Sequence, residues 1–136
     1  MARWEASESG FWDDAVRKSS ALRAALTRAL LDETACDLGF DCSTLFVDMD
    51  KFYDHVDLTR LIGKARELGY PLVCLALGML VHTAERVVKV VGAFGDPLLP
   101  DGGVVAGCTQ ANGYARVVLH EVLAKQAKRC LAMQRG

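Results

Sequence analysis

Apolar residues recur along much of this chain at intervals of three and four, the spacing that places side chains on one face of an α-helix. The pattern predicts helices over residues 12–36, 58–68, 71–84 and 110–130. Asp57 stands where an N-cap belongs, Gly39 and Gly69 stand where helices end, and Pro71 opens a helix. Residues 1–10 are polar and predict a loose N-terminus. For the last helix, the expected inward positions are Val117, Val118, Val122 and Leu123.

Three shorter segments have the composition of β-strands, at residues 43–49, 86–91 and 104–106. The last two flank residues 92–103, which contain glycines, prolines and aspartates and predict a long turn. These strands are therefore expected to pair with each other. The order of helices and strands predicts a single α+β unit over residues 11–136, with helices packed on a small antiparallel sheet.

Composition limits the classes of protein that the chain can represent. The formal net charge is −1, so the overall charge does not itself favour a nucleic-acid enzyme. Neither a signal peptide nor a long apolar span is present, and the sequence predicts a soluble, cytoplasmic or nuclear protein with no membrane partner. The three histidines are expected on the surface or in helices. The five cysteines lack the spacing of a zinc site and predict buried thiols in a reducing compartment: Cys36, Cys42, Cys74, Cys108 and Cys130.

The segment over residues 47–54, Val-Asp-Met-Asp-Lys-Phe-Tyr-Asp, is the most informative part of the sequence. Asp48 is expected at the tip of a buried strand, where the sheet would hold its carboxylate rigidly. Carboxylate oxygens at such a position bind hard divalent cations, and phosphoryl transfer commonly uses two of these ions about 3.5–4 Å apart. One carboxylate cannot hold two metals, so a complete site needs further acids.

This segment resembles motif A of reverse transcriptases, in which an aromatic residue follows the strand-ending Asp by five positions; here these are Asp48 and Tyr53. The later pattern is similar as well: two helices, a basic hairpin strand, and a glycine-centred turn at residues 103–108 that resembles motif B. The resemblance covers roughly residues 12–125. It implies part of the fingers and palm of a retroelement RNA-directed DNA polymerase.

The resemblance also implies roles for individual residues. Asp48 would ligate catalytic Mg²⁺, with the Met49 carbonyl as a second ligand. Tyr53 would lie under the sugar of the incoming deoxynucleotide, Gly107 would allow close approach of the nucleotide and template, and Gln110 would replace the glutamine that the motif B turn lacks. Motif C and the thumb are absent, so the chain is expected to be inactive alone.

Other interpretations stay open. A non-catalytic retroelement remnant or interaction module would need none of this chemistry. Translesion polymerases carry a similar Val-Asp-Met-Asp-x-Phe-Tyr strand, but the spacing between the segment at residues 103–106 and Tyr114 differs from theirs. A phosphohydrolase with Asp48 as its nucleophile is a further, less favoured reading.

Overall fold

The computed structural model describes residues 1–9, 19–43 and 49–129. Within these ranges the secondary structure is mostly helical, with one small antiparallel sheet, which confirms the α+β class. The elements are α1 Ala2–Glu8, α2 Ala21–Asp37, α3 Leu58–Glu67, α4 Leu72–Thr83, β1 Lys89–Val90, β2 Ala93–Phe94 and α5 Ala111–Arg129. The strand predicted at residues 43–49 falls largely on residues 44–48, which lie outside the described residues.

The predicted helix boundaries agree with the structure in the second half of the chain. The Asp57 carboxylate accepts a hydrogen bond from the Arg60 amide at 2.9 Å and so caps α3. Gly69 follows that helix with a φ of +64°, and Pro71 precedes α4 as expected. The first long helix has Ser20 as its N-cap and begins at Ala21, whereas residues 10–18 lie outside the described part of the chain.

The N-terminus differs from its prediction. Residues 1–10 are expected to be loose, yet residues 2–8 form α1, and the indole of Trp4 is buried. The Trp4 indole N–H donates to the Leu68 carbonyl at 2.7 Å, and its ring meets Tyr70 edge-on at a centroid distance of 4.6 Å. One large aromatic residue therefore docks a polar segment that has no apolar periodicity of its own.

The core lies where α3, α4 and α5 meet. Its fully buried side chains include Leu61 and Ala65 of α3, Tyr114 and Val117 of α5, and Tyr70 between the helices. Two of the expected inward positions on α5 do not fit. Val122 is 65% exposed and Leu123 is 37% exposed. Both residues lie in the C-terminal half of α5, and within residues 120–128 only Ala127 is buried, so this half contributes little to the core.

Helix α2 carries its apolar residues on the surface. None of its 17 residues is buried, and four leucines are more than half exposed: Leu22, Leu26, Leu30 and Leu31. The prediction of buried thiols is wrong for Cys36 and Cys42, which are exposed, whereas Cys74 and Cys108 are half-buried and Cys130 lies outside the described residues. Among the described residues, no helix combines the length and the hydropathy needed to cross a membrane.

The sheet differs from the predicted strand pairing. Residues 104–106 form no strand; instead the chain reverses at Val91 and Gly92, and β1 pairs with β2 in the register Lys89 to Phe94 and Val90 to Ala93. Both turn residues have positive φ, +47° at Val91 and +84° at Gly92, as a two-residue hairpin turn with right-handed strand twist requires. The glycine supplies the tight reversal that a long turn over residues 92–103 was expected to provide.

Val91 is a β-branched residue in left-handed backbone conformation with a fully exposed side chain, so its replacement should relieve strain without loss of packing. We expect Val91→Asn to stabilise the hairpin by about 1 kcal/mol. The readout is the hydrogen-exchange protection of the Gly95 amide, which donates to the Val88 carbonyl at 2.9 Å. Val90→Asn, at the neighbouring position in β1, is the control and should not increase the protection of the Gly95 amide. Lower protection in Val91→Asn would contradict the strain argument.

Candidate nucleotide-binding site

The second half of the motif-A-like segment forms a compact turn over residues 51–55. Lys51 adopts a φ of +47°, and its carbonyl accepts from the amides of Asp54 at 2.9 Å and His55 at 3.2 Å. Val56, which follows the turn, is buried in the core. The turn is therefore followed by a buried residue that lies directly before Asp57, the N-cap of α3.

The turn meets the motif-B-like loop through backbone hydrogen bonds. The Gly103 amide donates to the Val56 carbonyl at 3.2 Å, and the Val104 amide donates to the Tyr53 carbonyl at 2.7 Å. Gly103 has a φ of +79°, and a Cβ placed there would lie 3.0 Å from the Asp54 carbonyl oxygen and 3.2 Å from its Cα. Only glycine satisfies both the conformation and the close approach.

A third hydrogen bond holds the same loop from the opposite side. The Val105 amide donates to Nδ1 of His82 in α4 at 3.2 Å. His82 is fully buried, and its Nε2 has no hydrogen-bond partner among the described residues. Burial, and then the positive charge of Arg86, lower the pKa of His82, so the ring stays neutral with Nδ1 as acceptor. We call these three hydrogen bonds, from the amides of Gly103, Val104 and Val105, the loop clamp.

His82 lies in a helix, which is one of the two positions expected for the histidines, and its side chain is buried. The spacing of apolar residues in α4 could have indicated this burial. The buried residues of α4 are Leu75, Gly78 and His82, at positions i, i+3 and i+7 of one helix face. Extending the apolar face of the helix by one turn identifies the histidine as an inward residue.

The predicted nucleotide-contacting residue Tyr53 lies beside the loop clamp and the start of α5. Its half-buried ring packs edge-on against Phe52 at a centroid distance of 5.2 Å. Its hydroxyl lies 3.5 Å from Oδ1 of Asn112, at the long limit of a hydrogen bond. The structure therefore brings Tyr53 next to the glycine-centred loop at residues 103–108.

The side chain of Gln110 accepts hydrogen bonds inside the protein. Its Oε1 accepts from the Tyr70 hydroxyl at 3.1 Å and from the Tyr114 hydroxyl at 3.0 Å. Burial raises the pKa of Tyr114 to about 12 and raises the pKa of Tyr70 as well, so both phenols remain protonated donors. A Cβ at Gly78 would collide with the Tyr114 hydroxyl, which explains the close packing of α4 here. This geometry gives Gln110 a packing role and does not support a nucleotide contact.

Gly107 occupies the third position of an exposed turn in which the Cys108 amide donates to the Val105 carbonyl at 3.1 Å. Its φ is +85°, and nothing lies within 4 Å of the position that a Cβ would take. The turn accordingly requires Gly107 for its backbone conformation rather than for space. Gly107 is itself exposed, and its predicted contact with a nucleotide stays a prediction.

The predicted metal ligands are only partly described. Asp48, which the sequence predicts to be the catalytic and metal-binding residue, lies outside the described residues, whereas Met49 is described and exposed. Over residues 1–9, 19–43 and 49–129, no group of three or more His, Cys, Asp or Glu side chains is arranged to hold a metal ion. Asp50 and Asp54 near the turn are exposed. The described carboxylates do not form a ligand set for Mg²⁺, and the expectation of magnesium rests on Asp48.

No protein-family model matches this chain, and no curated protein or solved structure matches it either.

The energetic contribution of the close contact at Gly103 can be measured by comparing alanine substitutions at Gly103 and Gly107. Gly103→Ala should lower the free energy of unfolding by about 2–4 kcal/mol, because strained φ adds to steric overlap with Asp54. Gly107→Ala, with a similar φ and open space, should cost only about 1–2 kcal/mol. Urea unfolding of both variants gives the comparison. Equal losses would show that the close approach at Gly103 contributes nothing.

The lowered pKa of His82 predicts a dependence of stability on pH. Below about pH 6.5, the ordinary value, the unfolded chain takes up a proton at His82 that the folded chain resists. The stabilising contribution is therefore complete above pH 6.5 and is lost as the pH falls. His82→Asn retains an acceptor near the position of Nδ1 but cannot titrate, so its free energy of unfolding should fall less between pH 7 and pH 5. Parallel curves for the two proteins would contradict this assignment.

Proposed function

We propose that this chain is part of the fingers and palm of an RNA-directed DNA polymerase, a domain that transfers deoxynucleotides to a primer on a template. The observation that carries the proposal is the loop clamp. It joins the turn that follows the motif-A-like Asp48 to the loop that resembles motif B. Nucleotidyl transfer needs these two segments side by side, because one holds the metal and sugar while the other lies against the base pair.

The proposed roles divide between the two segments. Asp48 and the Met49 carbonyl would bind Mg²⁺, which, when bound, neutralises developing charge on the transferred phosphate. Tyr53 would limit the space at the sugar, and Gly107 would present an open backbone surface to the nucleotide. Gln110 leaves this set, since its carbonyl oxygen serves Tyr70 and Tyr114.

Exposed apolar surface supports the view that the chain works as a portion of a larger assembly. Besides the leucines of α2, the α4 face is open at Leu72, Val73, Leu77, Leu80 and Val81, each more than half exposed. Apolar surface on this scale usually becomes covered by another surface. The same observation favours a second candidate function, a non-catalytic interaction module, for which the metal site would be irrelevant.

Metal binding distinguishes the two candidates. We expect the chain to bind Mn²⁺, a paramagnetic substitute for Mg²⁺, in the presence of a deoxynucleoside triphosphate. Asp48→Asn should weaken that binding by about tenfold or more, because a carboxylate ligand is lost. Electron paramagnetic resonance of free Mn²⁺ measures the affinity directly and does not require polymerase activity.

The matched control is Asp50→Asn, which removes a carboxylate two positions away that has no expected role. It should leave the Mn²⁺ affinity unchanged. If the nucleotide alone accounts for all bound Mn²⁺, or if both variants lose affinity equally, Asp48 is no metal ligand and the interaction module becomes the better proposal.

A further inference from the structure

Two exposed thiols meet at the C-terminal end of α2. Gly39, with a φ of +76°, reverses the chain after the helix, and its amide donates to the Cys36 carbonyl at 2.9 Å. The Phe40 amide donates back to the Ala35 carbonyl at 2.9 Å. This turn returns Cys42 to the helix, where its Sγ lies 3.8 Å from Sγ of Cys36 and 3.7 Å from the Asp32 carbonyl oxygen.

The pair is placed for reaction rather than for packing. Both residues are exposed, whereas Cys74 and Cys108 are half-buried. A disulfide bond is about 2.05 Å long, so the two sulfur atoms need to approach each other by less than about 2 Å. The contact with Cys36 is the main cause that raises the pKa of the Cys42 thiol, which lowers its thiolate fraction, so the proximity of the two sulfurs and not the acidity of Cys42 favours the reaction.

We propose that Cys36 and Cys42 form a dithiol modification site that low-molecular-weight disulfides of the glutathione type oxidise to an intramolecular disulfide. The site is separate from the proposed polymerase function and does not depend on it.

The reaction balances as two thiol–disulfide exchanges. One cysteine thiolate attacks a sulfur of the small disulfide, which breaks the S–S bond, releases one small thiolate and leaves a mixed disulfide on the protein. The second cysteine, as its thiolate, attacks the protein sulfur of this mixed disulfide and expels the other small thiolate. Two protein thiols are oxidised, one small disulfide is reduced to two thiols, and the two protons pass to the released thiolates.

The test exposes the full chain to excess glutathione disulfide, alkylates the remaining thiols under denaturing conditions and measures masses. Both cysteines fall in a single tryptic peptide, residues 29–51. We expect this peptide to lose two hydrogen atoms, to carry no alkyl group and to retain no glutathione. Closure should be several-fold slower in concentrated urea, since the turn at Gly39 no longer holds the sulfurs together.

Two variants complete the design. Cys42→Ser should keep a glutathione adduct on Cys36, because no second thiol displaces it. Cys108→Ser, the control, should still form the bond at the rate of the unsubstituted chain. A stable glutathione adduct without closure in the unsubstituted chain, a bond to any other cysteine, or equal rates with and without urea would each overturn the proposal.

Discussion

The loop clamp is the constraint on which the arrangement of the described residues depends. Three consecutive backbone amides of the loop at residues 103–105 donate to two different parts of the chain. The acceptors are the carbonyls of Tyr53 and Val56, at and beside the turn, and Nδ1 of His82 in α4. Gly103 and Val104 are buried, and a buried amide without an acceptor costs about 1–3 kcal/mol. A residue larger than glycine at position 103, or an ionised histidine at position 82, would break this pattern. The positions of the loop, the turn and α4 therefore depend on one another.

The same region explains why the helices pack as closely as they do. Gly78 leaves room on α4 for the Tyr114 hydroxyl, which shares the Gln110 carbonyl oxygen with Tyr70. Two buried phenols would each be unsatisfied without this single acceptor, so the side chain of Gln110 is committed to the core. Tyr70 in turn receives the edge of Trp4. A continuous series of polar and aromatic contacts thus connects α1, α4 and α5 around the site, whereas α2 contributes no buried residue.

Sequence patterns predicted local features well and distant partners poorly. Asp57, Gly69 and Pro71 mark helix boundaries by chemistry that acts within a few residues, and those boundaries hold in the structure. The hairpin was expected between residues 86–91 and 104–106, but Gly92 permits a reversal that the apolar pattern does not show. The docking of Trp4, the burial of His82 and the use of Gln110 depend on residues 23 to 64 positions away, namely Leu68, Val105 and Tyr70. Periodicity within one helix does not identify these distant partners. The spacing of α4 indicates only that His82 faces inward.

The clamp also determines what each site residue can contribute. The clamp holds the Tyr53 carbonyl, while the half-buried side chain packs against Phe52 and the core and makes a long contact to Asn112. Gly107 is held by the turn between Val105 and Cys108 and has open space above it. For the proposed nucleotide site, a rigid base of this kind would favour recognition by shape, because the scaffold is already ordered before the ligand arrives. The described acids form no metal-binding group, so the metal chemistry of the proposal rests on Asp48. In the proposed function, recognition and catalysis are therefore separable: recognition would depend on residues 53–107, which the clamp organises, and catalysis on Asp48 together with further acids.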